Sequence, residues 1–135
     1  MLEDLPPGLR VPRAHVDEVT SAHEALAVFA LAVRRPWRAE TLVVYLDARR
    51  RGVGLRAYAP GRDLGLLADR IVGDAVRVSG ATACLVCSVR PVRPRTAPED
   101  GARWRTARRI ADRAGLAMVA WYLAGPGGVS EVRAA

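Results

Sequence analysis

The chain has 135 residues, half of them hydrophobic and about a quarter charged, which excludes a wholly disordered polypeptide and leaves room for one domain. No apolar run reaches the roughly 18 residues of a membrane span, and Met1-Leu2-Glu3-Asp4 lacks the basic-then-apolar design of a signal peptide, so a cytoplasmic location without membrane association is expected. The formal charge is +7, and every basic side chain is Arg, with no Lys, Asn or Gln in the chain; GC-rich codon usage explains much of this, while a basic surface also concentrates phosphates and acidic proteins.

Residues 1–19 hold three prolines and no sustained period, and they read as a loosely attached arm before a domain spanning 20–135. Ser21-Ala22-His23-Glu24 has the capping-box form, a hydroxyl and a carboxylate spaced to satisfy free helix amides, and the apolar run 25–33 continues it as a helix that stops before Pro36. Thr41-Leu42-Val43-Val44-Tyr45-Leu46 is β-branched and apolar, a strand. Asp47-Ala48-Arg49-Arg50-Arg51-Gly52 makes a charged turn, and 53–59 returns as the second strand of a hairpin. Pro60-Gly61 breaks the chain and Asp63 opens a helix whose Leu64, Leu67, Ala68, Ile71, Ala75 and Val78 build one apolar face.

A strand over 82–88 comes next, then a loop rich in proline and arginine. Thr96-Ala97-Pro98-Glu99 is a second capping box with proline in the first turn, where its missing N–H costs nothing. The helix it opens puts Trp104, Ala107, Ile110, Ala111 and Ala114 on one side and Arg105, Arg108, Arg109 and Arg113 on the other, and Gly115 ends it. Residues 116–123 read as a strand, and 129–133 as a short edge strand after Gly125-Pro126-Gly127-Gly128. The order α-β-β-α-β-α-β-β predicts a single α/β (α+β) domain, a mixed sheet flanked by about three helices.

Several features invite a chemical reading. Cys84 and Cys87 form a C-x-x-C, but they sit on a strand, where side chains three apart face opposite ways and cannot converge on one metal; they read as small buried hydrophobes. The segment from Arg90 to Pro98 contains P-x-x-P between arginines, which suits either a polyproline II ligand or an ordinary loop before a capped helix. No histidine stands near a candidate serine, neither cysteine has a base partner, and the glycine-rich stretch opens no helix that would cradle phosphate.

Three stretches together resemble the RadC-like branch of the JAMM (MPN) metalloprotease family. Residues 38–49, Arg-Ala-Glu-Thr-Leu-Val-Val-Tyr-Leu-Asp-Ala-Arg, are similar to its Glu-led strand ending in Leu-Asp. The helix from Asp63 and the strand through Cys87 lead into Ser88-Val89-Arg90-Pro91, where the family writes His-x-His-Pro. Thr96-Ala97-Pro98-Glu99-Asp100, with its helix and the strand Gly115-Leu116-Ala117-Met118-Val119-Ala120-Trp121, looks like the family's Pro-Ser-x-x-Asp with its own helix and strand. The likeness covers roughly residues 20–133, an ordinary domain size.

The resemblance implies a site in which two histidines and an aspartate hold zinc while a glutamate works on the metal-bound water. Carried over position by position, the glutamate falls on Glu40, the first histidine on Ser88, the second on Arg90, and the aspartate on Asp100, with the last interval one residue shorter. The family's active-site serine falls in the altered loop, where Thr96 is only a neighbour. Ser88 is a weak zinc ligand, and a guanidinium has no lone pair to give. His15 and His23 both precede the first strand and would need an unusual fold-back to replace the lost ligands. Zinc is therefore not expected. Arg90 is instead expected either to fill the vacant position and pair with Glu40, Asp100 or both, or to point into solvent from a loop already rich in arginine.

The resemblance implies a non-catalytic domain retained for folding and for contacts with a protein partner. Its main rival is a metal-dependent isopeptidase or related hydrolase with an atypical ligand set. A third reading is a basic module that meets nucleic acid through Arg105, Arg108, Arg109 and Arg113.

Overall fold

The computed structural model describes residues 11–33, 38–59, 64–91, 97–126 and 128–133. Among them the elements run α1 (Ala22–Ala32), β1 (Glu40–Leu46), β2 (Gly52–Tyr58), α2 (Leu64–Ala75), β3 (Ala83–Val89), α3 (Asp100–Arg113), β4 (Ala117–Gly125) and β5 (Gly128–Glu131). This is the order that the sequence predicts, in an α+β domain. Asp63, the expected start of the second helix, and residues 92–96, which hold Thr96 and most of the P-x-x-P segment, lie outside the described residues. No described helix is long and apolar enough to cross a membrane.

Five strands form one sheet in the order β2-β1-β3-β4-β5. β1 runs antiparallel to both β2 and β3, β3 and β4 are parallel, and β5 returns antiparallel to β4. A parallel neighbour requires a crossover, and α3 supplies it between β3 and β4. Every residue of β1 is buried. Covered on both faces, such a strand reads as a continuous apolar run rather than an alternating one, which is how Leu42 to Leu46 is written.

Alternation along the strands divides the interior into two cores. On one face Val43, Tyr45, Cys84, Val86, Trp121 and Leu123 pack against α2 and α3 through Leu67, Ile71, Trp104 and Ala107. On the other, Leu42, Val44, Leu46, Leu85, Cys87 and Tyr122 pack against Phe29 and Ala25 of α1. The cysteines thus face opposite layers, and burial pushes each thiol up to about 12, with Glu40 adding to the effect at Cys87. Hydroxyl bonds pin the hairpin to α2: Tyr45 O–H donates to the Ile71 carbonyl at 2.6 Å, and Tyr58 O–H to Asp74 Oδ2 at 2.6 Å.

Helix ends agree with the sequence at Ser21 and Gly115; α2 stops at Ala75, so Val78, expected on its apolar face, follows the helix while staying buried in the same core. Ser21 Oγ accepts the Glu24 amide at 3.2 Å, while Glu24 Oε1 takes the Thr20 amide at 3.1 Å and its hydroxyl at 2.7 Å, so the box closes one residue earlier than its motif implies. At the far end of α3, Gly115 adopts φ +80°, its N–H meeting the Asp112 carbonyl and that of Leu116 the Ala111 carbonyl, a Schellman termination in which only glycine avoids strain. α3 itself starts later than its capping box suggests. Glu99 occupies the cap with helical backbone angles and makes no side-chain cap bond. Asp100, the first helical residue, reaches back instead and accepts the amide of Ala97, which precedes the helix, at 2.6 Å.

Residues 11–19, expected as part of a loose arm, are tied to the hairpin. His15 N–H donates to the Gly52 carbonyl and Val19 N–H to that of Arg50, each at 2.8 Å, and Glu18 bridges Arg51. The hairpin edge offers unpaired backbone groups, and the segment satisfies some of them.

Candidate functional site

Three of the positions singled out by sequence, Ser88, Arg90 and Asp100, meet at the carboxyl ends of the parallel strands β3 and β4, where open α/β sheets commonly place their sites. Ser88 is the penultimate residue of β3, and Arg90 leaves it with its N–H bonded to the Ala124 carbonyl of β4 at 2.8 Å. α3 then brings Asp100 back over this corner from its first turn.

Arg90 and Asp100 form a two-pronged ion pair. Nη1 lies 2.9 Å from Oδ2 and Nη2 lies 3.0 Å from Oδ1. Asp100 also accepts the Ala97 amide at 2.6 Å and Arg103 Nη1 at 3.3 Å, and its side chain has no exposed surface, against 27% for Arg90. Burial is the largest influence on this carboxyl and pushes its pKa up. The Arg90 fork, the Ala97 amide and Arg103 together outweigh it and hold the group below the usual carboxylate range. The alternatives left open for Arg90 are resolved: it turns inward and takes Asp100.

Ser88 is engaged as well. Its Oγ accepts the indole N–H of Trp121 at 2.9 Å and lies 3.0 Å from Thr41 Oγ1. The guanidinium of Arg90 sits over the Trp121 ring, 5.8 Å from its centroid, and Trp121 packs against Trp104 at 6.2 Å. Ser88, Arg90, Asp100 and two tryptophans are thus one connected corner on the α2–α3 side of the sheet.

Glu40 is not part of it. Its ladder partner is Val89, while Thr41 pairs with Ser88 and Leu42 with Cys87. Since neighbours on a strand face opposite ways and Thr41 Oγ1 reaches Ser88, Glu40 is directed to the α1 layer, where its charge acts on Cys87. It is 8% exposed, and its Oε1 is buried without a hydrogen-bond partner. His15 and His23 are both exposed, on the hairpin-bound segment and on α1. Among the described residues no group of three or more His, Cys, Asp or Glu could hold a metal ion.

The corner can therefore lock structure far more readily than it can ligate. Asp100 accepts four hydrogen bonds, which occupy the lone pairs a metal would use, and Arg90 has none to offer. Sequence reasoning gave Trp121, Thr41 and Arg103 no part in this corner. The signal for Trp121 was present in the chain, because a buried indole N–H needs an acceptor and Ser88 is a hydroxyl on the adjacent strand.

Arg105, Arg108, Arg109 and Arg113 of α3 lie elsewhere, on its exposed side, around a shallow depression of about 360 Å³ shared with Asp112. Arg108 stacks over Trp104 with 5.5 Å to the ring centroid.

The fold and this corner define a three-layer α+β domain with an Arg90–Asp100 ion pair at the carboxyl ends of its parallel strands. No protein-family model matches this chain, and no curated protein matches it in sequence. A functional reading has to come from the side chains themselves.

Proposed function

We propose that this chain is a non-catalytic domain of the RadC-like JAMM (MPN) type, retained as a protein-interaction or assembly module. One observation carries the reading: the residue at the aspartate-ligand position is saturated by the residue at the second histidine position, through the Arg90–Asp100 fork. For Asp100 to bind a divalent ion it would first have to surrender that fork. The displaced guanidinium would then repel the ion by about 8 kcal/mol at 4 Å and an effective dielectric near 20, twice the value for unit charges. The order of elements and the placement of Ser88, Arg90 and Asp100 at one corner support descent from such a fold. Glu40, directed to the opposite layer, supports the absence of a working general base at this corner.

Metal analysis tests the proposal. Protein purified without chelator, then incubated with zinc and desalted, should carry well below one ion per chain. Stoichiometric zinc together with hydrolysis of a peptide or isopeptide bond would establish the rival enzyme instead.

A further inference from the structure

We infer that the outward face of α3 is a docking strip for the phosphate backbone of a nucleic acid. The inference goes beyond the reading of the Arg90–Asp100 corner and uses no residue of it. Arg105, Arg109 and Arg113 succeed one another at four-residue intervals, a row of guanidiniums about 12 Å long at 1.5 Å rise per residue, and Arg108 stands between them. All four are exposed.

The density of unneutralised charge on one helix face is what distinguishes it: Arg38, Arg49, Arg50, Arg56, Arg70, Arg77 and Arg133 also lack an ion pair among the described residues, but none of them stands in a four-arginine stripe. Arg13, Arg51, Arg90 and Arg103 each have a carboxylate within ion-pair distance. Among the described residues none pairs in this way with Arg105, Arg108, Arg109 or Arg113, and the one acid in the strip is Asp112. The strip therefore keeps a net charge of +3, four Arg less one Asp, within a chain whose overall charge is +7. Unpaired like charges this close repel one another, a cost that a polyanion laid along them would relieve.

One feature favours phosphate over an acidic protein, and a second suits either kind of oxyanion. Protein interfaces centre on buried aromatic or aliphatic anchors, and none of the exposed large hydrophobic side chains (Val16, Leu31, Leu55, Leu66, Val76 and Val119) lies on α3. The cations are all arginines, whose planar fork takes two phosphate oxygens at once. Arg108 is further preorganised by its stacking on Trp104, so less side-chain freedom is lost when it binds. Contacts to phosphate carry no sequence information, so binding through this strip should be independent of sequence.

The test is fluorescence anisotropy of the full chain with labelled duplex DNA of arbitrary sequence, titrated with salt. Three to four phosphate contacts predict that affinity falls roughly 40- to 150-fold between 50 and 200 mM salt. Arg105→Ala, Arg109→Ala and Arg113→Ala should each lower the slope of log affinity against log salt by about 1. Arg105→Glu combined with Arg109→Glu should abolish binding, while Arg49→Glu, on the β1–β2 turn, should leave most of it. Circular dichroism verifies folding, and the single alanine variants carry the test should the charge-reversed chain not fold. Three outcomes would overturn the inference: no binding at 50 mM salt, equal loss with Arg49→Glu, or displacement of the DNA by polyglutamate at matched charge concentration. Zinc content decides the corner's role and DNA binding decides the strip's, so either can fail alone.

Discussion

Replacing Arg90 by alanine isolates the ion pair on which the functional reading rests. The change leaves Asp100, a carboxylate with no exposed surface, facing the space its partner filled. Breaking a buried pair from one side costs about 3–5 kcal/mol. Two features of this corner lower the figure. Asp100 keeps the Ala97 amide and Arg103, and Arg90 is 27% exposed, so water reaches part of the vacated site. A loss of about 2–3 kcal/mol remains. In urea, with a slope of about 1–3 kcal/mol per molar, the midpoint should fall by about 0.7–3 M. Trp104 and Trp121 report the transition by fluorescence.

Two companions separate charge from packing. Arg90→Met retains much of the apolar stem over the Trp121 ring, so stability it recovers relative to alanine measures packing. Asp100→Asn completes a double-mutant cycle whose coupling energy measures the pair. The pH dependence carries a definite sign. A carboxyl held below its unfolded value, near 3.9, stabilises the fold fully above that pH and loses the contribution as pH falls through the folded value. The gap between wild type and Arg90→Ala should therefore be widest at neutral pH and close below about pH 4. A loss under about 0.5 kcal/mol at pH 7, the scale of an unremarkable surface substitution, with negligible coupling in the cycle, would refute the reasoning.

Four further outcomes are expected. Ser88→Ala should cost about 1–3 kcal/mol in urea unfolding, because the Trp121 indole N–H loses its acceptor in a largely buried setting. Glu40→Leu should stabilise the fold by about 1 kcal/mol or more by removing a buried carboxylate oxygen that has no partner; a large loss in the same assay would show that the carboxylate is needed. Cys84 and Cys87 should resist a thiol reagent at pH 8 until the chain unfolds, since burial holds both near 12. Stability should also decline from about pH 9 upward, as unfolded thiols ionise while folded ones do not. Gly115→Ala should cost about 1–2 kcal/mol in thermal or urea unfolding, entirely from the backbone, because nothing lies within 4 Å of the added Cβ.

The sequence alone carried the order of elements, because each is written in local terms. β1 is a continuous β-branched and aliphatic run, α2 has its apolar face at helical spacing, and Ser21 and Gly115 are end signals whose chemistry acts within a few residues. The faces of Cys84 and Cys87 were legible for the same reason, since strand alternation is a local rule. The pairing of Arg90 with Asp100 was one of the alternatives that the sequence left open. The start of α3 was less legible. Thr96-Ala97-Pro98-Glu99 fits a capping box, yet Glu99 makes no side-chain cap bond, and the carboxylate that takes the Ala97 amide is that of Asp100, which Arg90 holds from ten residues earlier.

Tertiary structure decided what the corner is. Position-by-position matching grouped Glu40 with Ser88, Arg90 and Asp100, but the register of β1 on β3 sends Glu40 to the other layer, and register depends on pairing between strands remote in the chain. Whether Arg90 faced solvent or a carboxylate depended on α3 crossing back over the end of β3, a contact that no local pattern encodes. The docking of residues 11–19 on the hairpin edge is of the same kind, because main-chain hydrogen bonds of an edge strand leave little trace in side-chain identity. Helix caps, strand faces and apolar periods are set by interactions over a few residues, so one chain displays them. Charge pairing across elements is set by three-dimensional distance, and only the folded molecule supplies it.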